Sequence, residues 1–289
     1  MSATPVRNVS DTARWVAAYR ALESGRKDAI FHDHLAERLA GERGRAIADL
    51  ASVHSQWALI TRTRLIDDLI LRAVAKGANC VLNLAAGFDT RPYRLSLPSD
   101  LLWIEADLPD LIDEKEKLLR DETPRCNLAR ERVDLADAAT RTAVLHDING
   151  RATRTLVITE GLMLYLETAQ VVELADALAA ESSLRQWIVD FSSPEIVEMM
   201  KRGMGAALVH APFKFVATGG VTLFERQGWQ AERVLSLMKE AGRLRRLPLW
   251  MHPFALLPQP DPRQTKGRWS VVVQFKRESQ SPSVANGNT

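Results

Sequence analysis

Leu82-Asn83-Leu84-Ala85-Ala86-Gly87-Phe88-Asp89-Thr90-Arg91 is an apolar run that breaks into a turn of small residues and then into charge. A strand ending in such a turn lets a ligand approach the backbone at the carboxyl edge of a parallel sheet, where open α/β folds bind nucleotides. Asp107 closes the next apolar run, Leu101-Leu102-Trp103-Ile104-Glu105-Ala106, and lies 20 residues after Gly87. An acid at that separation is placed to accept hydrogen bonds from ribose hydroxyls. The pair points to an adenosine-containing cofactor. Alanines at 85 and 86 keep the turn short of a full G-x-G-x-x-G, and a buried strand with a tight exit reads the same way.

Downstream, strand-like runs at Cys80–Ala86, Leu101–Asp107, Arg130–Leu135, Thr155–Thr159 and Gln186–Phe191 alternate with helix-like segments at Asp110–Arg120, Ala138–His146 and Thr168–Glu181. Alternation of this kind predicts an α/β fold with a doubly wound parallel sheet. Right-handed crossovers then bring the strand ends Gly87, Asp107, Asp134 and Glu160 to one sheet edge. Upstream, Ser10-Asp11 caps a helix with Trp15, Ala18, Tyr19 and Leu22 on one face, and a shorter segment runs from His34 to Leu39. A long helix over Ser52–Lys76 carries Leu59, Thr63, Ile66, Ile70 and Ala73 on a stripe and stops at Gly77.

Residues 1–77 are therefore expected as a helical cap or lid, and 78–277 as a Rossmann-like core with a substrate-side insertion near 194–228. That insertion reads as a helix over Glu195–Ala207 and an apolar loop around His210–Phe215. A helix over Gln230–Ala241 and strands near Arg245–Trp250 and Trp269–Lys276 follow. Residues 278–289, rich in Ser, Asn and Gly, are expected to be a disordered tail.

With 289 residues, 26% charged and 46% hydrophobic, the chain is long enough for one large α/β core with a cap. Thirty-eight basic against 36 acidic residues leave a net charge of +2, too even for a nucleic-acid partner. The Arg243-Leu244-Arg245-Arg246 cluster reads as a solvated face. Cys80 and Cys126 have neither metal-ligand nor disulfide-scaffold spacing. No window approaches the ~18 apolar residues of a membrane span, and the first residues hold no apolar stretch of signal-peptide length. A cytoplasmic protein with no membrane partner is expected, and a homo-oligomer is compatible.

The phrases NLAAGFDTRPYRL, IEADLP, VDL at 133 to 135 and ITEGLMLYLE at 158 to 167 occur in fixed order after VSDTARWVAAYRALE near the start. Together they resemble the leucine carboxyl methyltransferase family, a branch of the class I S-adenosylmethionine-dependent methyltransferases that includes bacterial enzymes acting on small molecules and polyketides. The resemblance covers roughly residues 8 to 275. It implies a class I methyltransferase sheet with a final antiparallel strand, and S-adenosyl-L-methionine as cofactor. It also implies roles for particular residues. Arg62 in ITRTRLIDD matches the family arginine that grips the methionine carboxylate, with Arg64 as the nearby alternative; a guanidinium does this with two parallel bonds. Asp134-Leu135 matches the pair beside adenine, and Glu160 the acid near the methionine part, where it would pair with the ammonium. The family's usual LGAG reads LAAG here, although Gly87 keeps the close approach.

Methyl transfer from a sulfonium is an in-line displacement that needs collinear reactants and excluded water, so positioning supplies most of the rate. No metal is required, and His32, His34, His54, His146, His210 and His252 are too scattered to hold one. A carboxylate acceptor, with a pKa of ~4, needs no base; a phenol, at ~10, does. His210 and His252 on late loops are the candidate bases, and Tyr165 lies along the route to the acceptor. Phe213, Phe215, Trp250, Met251 and Phe254, with Met199, Met200 and Met204, outline an apolar acceptor pocket or a plain core. Asp89, Thr90 and Arg91 read as a hydrogen-bonded brace of the turn. The expected activity is an O-methyltransferase on the carboxylate or hydroxyl of a small organic or polyketide-like acceptor. The alternatives are a non-catalytic binding or scaffolding protein that keeps the cofactor pocket and, at lower weight, an NAD-dependent dehydrogenase on a similar sheet.

Overall fold

Cys80–Leu84 forms β1, buried along its whole length. Side chains alternate across a strand, so Cys80, Leu82 and Leu84 face one apolar layer while Val81 faces the other. β1 is the centre of the fold in a computed structural model that describes residues 9–50, 53–204 and 212–277. Around it are β2 (Leu102–Asp107), β3 (Asn127–Arg132), β4 (Thr155–Thr159), β5 (Leu184–Ser192), β6 (Gln230–Ser236) and β7 (Ser270–Lys276). They make a seven-stranded sheet of order β3-β2-β1-β4-β5-β7-β6. β1 to β5 are mutually parallel, and β7 runs antiparallel between β5 and β6. This is the expected doubly wound α/β sheet with an antiparallel final strand.

The helices are α1 (Val9–Ser24), α2 (Ala36–Leu50), α3 (Val53–Ala75), α4 (Arg91–Arg94), α5 (Pro109–Leu118), α6 (Ala138–Arg151) and α7 (Thr168–Ala180). After β5 come α8 (Pro194–Met204), α9 (Val221–Glu225), α10 (Leu237–Arg243) and α11 (His252–Leu256). Leu145 and Ile148 of α6, Val171, Leu174 and Leu178 of α7 and Phe224 of α9 cover one sheet face. On the other face lie Leu65, Ile66, Leu69, Ile70 and Ala73 of α3 with Leu237 of α10. α3 thus belongs by its C-terminal half to the sheet's own covering layer. Only its first turns, with α1 and α2, stand over the carboxyl edge where a cap was expected.

Three local expectations are corrected. β3 lies three residues earlier than Arg130–Leu135, so Asp134 and Leu135 follow the strand instead of ending it. As an edge strand it carries Arg130 and Arg132, which obscure an apolar alternation. Gln230–Ala241 is not one helix: Gln230–Ser236 is β6, and the Ser236 hydroxyl then accepts from the Lys239 amide to start α10. Pairing with the apolar β7 decides this, as tertiary context overrides propensity at a sheet edge. Arg245–Trp250 is not a strand either, because Arg245 sits at φ +56°, Pro248 lacks an N–H and Leu249–Met251 is a 3-10 turn. The tail 278–289 lies outside the described residues, as does His210.

Candidate active site

The β1 exit turn is built by two left-handed residues, Ala85 at φ +54° and Gly87 at φ +49°. Gly87 needs its freedom twice, since a Cβ there would also lie 3.3 Å from the Ala13 Cβ of α1. Ala85 occupies the other left-handed position as a non-glycine, which stores strain of about 1–2 kcal/mol. It stands where the family's usual motif has its first glycine. Register holds the neighbours in place: Leu84 pairs with Ala106, and Ala85 N donates to Ala106 O at 2.8 Å. Asp107 therefore emerges beside the turn. Its Oδ2 accepts from Gly87 N at 2.6 Å and its Oδ1 from Leu108 N at 2.7 Å. Burial raises its pKa, an effect the two amides partly offset.

Behind this turn the charged residues interlock. Asp89 Oδ1 accepts from Arg91 N at 2.8 Å, and its Oδ2 from Arg91 Nη1 at 2.7 Å and Asn83 Nδ2 at 2.8 Å. Arg91 also reaches Asp67 at 2.6 Å and Glu160 at 2.7 Å. Arg94 holds Asp67, Arg20 holds Asp33 at 2.8 Å and donates to Phe88 O, and Thr90 donates to Asp33 at 2.6 Å. The Asp89-Thr90-Arg91 cluster is the brace that its sequence suggests. Burial opposes the charge on Asp89, yet the Arg91 guanidinium outweighs it and holds the carboxyl well below its ordinary range. Glu160 behaves alike: burial pushes its pKa up, while Arg91 and Arg62 bring it below 4.5.

Arg62 donates Nε to Glu160 Oε1 at 3.0 Å and Nη1 to Asp190 Oδ2 at 2.9 Å. With both bonds in place, Nη2 makes no hydrogen bond among the described residues, so Arg62 keeps N–H donors beyond those it gives the two carboxylates. Glu160 likewise shares both oxygens with guanidinium groups, so its charge is already compensated. Asp190, at the end of β5, is the site acid that the strand pattern hides. It accepts from Gly161 N at 2.6 Å and from Arg62. An acid inside the apolar run Trp187-Ile188-Val189-Asp190-Phe191 was its signal, as Asp67 on the α3 stripe was for the brace.

These groups line one end of a cavity of about 990 Å³. Arg62, Gly87, Asp107, Asp134, Leu135, Glu160 and Tyr165 all reach its wall. Asp134 is exposed and also braces the Ala136 amide at 2.9 Å. Tyr165 packs edge-on against Phe213 at 5.8 Å. Burial raises its pKa above 10, against a hydrogen bond from Thr12. His252 is not part of the wall; its Nε2 lies 3.1 Å from Leu247 O. At the far end Trp57, Ile196, Met200, Phe213, Trp250 and Phe254 form an apolar wall. No cluster of three potential metal ligands occurs among the described residues.

The leucine carboxyl methyltransferase family model matches residues 13–179, which hold the turn, Asp107, Glu160 and every brace residue except Asp190. The chain belongs to the leucine carboxyl methyltransferase family. A Frankia alni relative, assigned by name to the S-adenosyl-L-methionine-dependent methyltransferases, is 30% identical over 80% of this chain and 88% of its own length. A second from the same organism is 33% identical over 60% of this chain, and a Streptomyces coelicolor relative 34% over 60%; the match spans just under two thirds of these two proteins, 64% of each. Both carry the same designation. Among solved structures, a Thermobifida fusca protein classed as a methyltransferase shares the fold at TM-score 0.58, with 13% identity over 96% of this chain and 97% of that one. A DUF574 family protein from Streptomyces avermitilis does so at TM-score 0.55, with 14% identity over 91% and 97%. The fold is that of the class I methyltransferases, and the cofactor of this family member is S-adenosylmethionine.

The donor set fits that cofactor. Asp107 retains lone pairs for ribose hydroxyls at the edge of a turn with no Cβ on Gly87, and Asp134 and Leu135 line the wall beside it. The brace counts four guanidinium groups, Arg20, Arg62, Arg91 and Arg94, against five carboxylates, Asp33, Asp67, Asp89, Glu160 and Asp190. One negative formal charge is left over, complementary to a sulfonium ligand of net positive charge.

Proposed function

We propose that this leucine carboxyl methyltransferase family member is an S-adenosylmethionine-dependent O-methyltransferase that esterifies the carboxylate of a small, largely apolar organic acid. The observation that carries the reading is the make-up of the cavity wall. One end is charged and hydrogen-bonded; the other is aromatic and aliphatic, and no histidine, lysine or cysteine lines it among the described residues. Methylating a phenol, with a pKa of ~10, calls for a base, whereas a carboxylate of pKa ~4 is already the nucleophile at neutral pH. A polyketide-like hydroxyl is the second acceptor class, and it needs a base from residues such as His210.

The cofactor, when bound, supplies a methyl group on a sulfonium. The chain's own residues orient and exclude. Asp107 and the Gly87 turn fix the ribose end, while Arg62, Glu160 and Asp190 form a rigid polar floor. Tyr165, kept neutral by burial, bounds the space between that floor and the apolar wall. Apolar walls displace water from an acceptor carboxylate and leave it less solvated next to the electrophile.

Labelled-methyl transfer tests this over a panel of aromatic and aliphatic acids, phenols, and a peptide ending in a free leucine carboxylate. Base-labile methyl esters of one or more small acids are expected. Transfer confined to phenols moves the reaction to the hydroxyl class, and transfer to the peptide moves it to protein carboxyl methylation. Cofactor binding without transfer to any acceptor identifies a binding protein, and hydride exchange with NAD identifies a dehydrogenase.

A further inference from the structure

Five of the nine exposed large apolar side chains among the described residues fall in one short stretch. Leu249 is 88% exposed, Leu256 87%, Trp250 59%, Leu257 55% and Phe254 51%. The stretch is held in its outward pose by its own bonds. Ala255 packs on Gly242 so closely that a Cβ at 242 would lie 2.8 Å from it, and Leu247 is buried beneath. The Gln259 side chain donates to Phe254 O at 3.0 Å and to Leu257 O at 3.1 Å. Trp250, Phe254 and Leu257 also form the mouth of the cavity, beside the half-exposed Met199, whereas Leu249 and Leu256 stand clear of it.

Basic residues flank the stretch on both sides. From Lys239 to Arg268 the sequence holds seven basic residues, Lys239, Arg243, Arg245, Arg246, Arg263, Lys266 and Arg268, against two acidic ones, Glu240 and Asp261. The structure divides the basic set. Arg246 is spent on Glu23 and Asp28, Arg243 pairs with Glu240 and Arg263 with Glu225. Lys239, Arg245, Lys266 and Arg268 are exposed and make no ion pair among the described residues. They adjoin the patch: Lys239 is on α10, which packs against α11, and Gly267 lies against Pro260, so Arg268 shares the cavity rim with it.

We infer that the Leu249–Leu257 segment is a docking surface for an anionic lipid bilayer, through which an amphiphilic acceptor reaches the cavity. Trp, Phe and Leu side chains with a surround of Lys and Arg are the composition that settles at a lipid interface, where apolar burial and attraction to anionic headgroups add. A patch of this kind on a folded protein signals an interaction site. A second copy of the chain fits less well, because two-fold pairing would bring a second set of the same unpaired cations to one interface. Docking is peripheral: no helix among the described residues is long and apolar enough to cross a membrane. It revises the expectation of no membrane partner, which rested on long apolar stretches and not on surface patches.

Co-sedimentation with vesicles of phosphatidylcholine alone and with added phosphatidylglycerol tests the inference on the full chain. Binding to the anionic vesicles is expected, released by salt and weakened about tenfold or more by Leu249→Ser with Leu256→Ser. Both leucines stand off the cavity, so S-adenosylmethionine affinity in the double variant reports an intact fold. Lys266→Glu weakens vesicle binding through charge alone. Absence of binding to anionic vesicles overturns the inference, as does full binding by the double variant. A wild-type dimer that the double variant dissolves would also overturn it. Failure of methyl transfer with vesicle binding intact would instead count against the proposed reaction.

Discussion

The two ends of the cavity are built by opposite means. At the cofactor end, strand termini fix the backbone, and Arg62, Arg91 and Arg94 are each held by two or more carboxylates. Glu160 of the β4 loop, Asp190 of β5, Asp67 of α3 and Asp89 of the β1 turn all meet arginines there. At the acceptor end, side chains from α3, α8, the 3-10 turn and α11 converge, and most of them are aromatic or aliphatic. A rigid, over-determined half suits a ligand shared by the whole family, and a half lined mainly by apolar side chains suits one that varies between members.

Removing the brace should break that contrast most severely. Arg91→Ala leaves Asp67, Asp89 and Glu160 buried without a shared cation, and losing one partner of a buried network costs about 3–5 kcal/mol. Urea denaturation should show that loss; a change within experimental scatter would mean the network contributes no rigidity. Acid should act on the same residues. Asp33, Asp89 and Glu160 have folded pKa values below their ordinary 3.8, 3.8 and 4.5, so the unfolded chain takes up protons first as pH falls. Their stabilisation is complete above the ordinary range and drains below it, which thermal melts from pH 7 downwards should trace.

Asp107→Ala should leave the fold intact and weaken S-adenosylmethionine binding at least tenfold, ~1.4 kcal/mol, by calorimetry. Unchanged affinity would detach the β2 terminus from the cofactor. Ala85→Gly should relieve the left-handed alanine and raise stability by about 1 kcal/mol, read as a higher urea midpoint at unchanged slope. At the acceptor end Met200→Ala should raise the acceptor KM several-fold while leaving cofactor affinity alone. Equal shifts in both would show that the two ends are not separable.

The cofactor half was legible because its determinants are local. A strand, a small-residue turn and an acid at the end of the next strand are contiguous in sequence, and their order identifies the family. The brace was legible only in part: Asp89, Thr90 and Arg91 stood out as a cluster, whereas Asp67 and Asp190 read as stray acids in apolar stripes until the fold brought them to Arg91 and Arg62. Arg62 and Glu160, expected to meet a ligand's charges, both line the cavity and also pair with each other, a contact between residues 98 apart that no local pattern announces. The late elements were least legible, since β6 is an edge strand whose Glu232 and Arg233 break its alternation and whose pairing partner lies some 40 residues away. Three residues separate the expected and observed β3 for the same reason.

The central claim is that the edge formed by Gly87, Asp107 and the Arg62–Glu160–Asp190 floor receives one sulfonium nucleoside. Calorimetric titration of the full chain with S-adenosylmethionine and, separately, with NAD tests it most directly. One-to-one saturable binding of S-adenosylmethionine without binding of NAD is the predicted result; binding of NAD, or heat from neither compound, would contradict it.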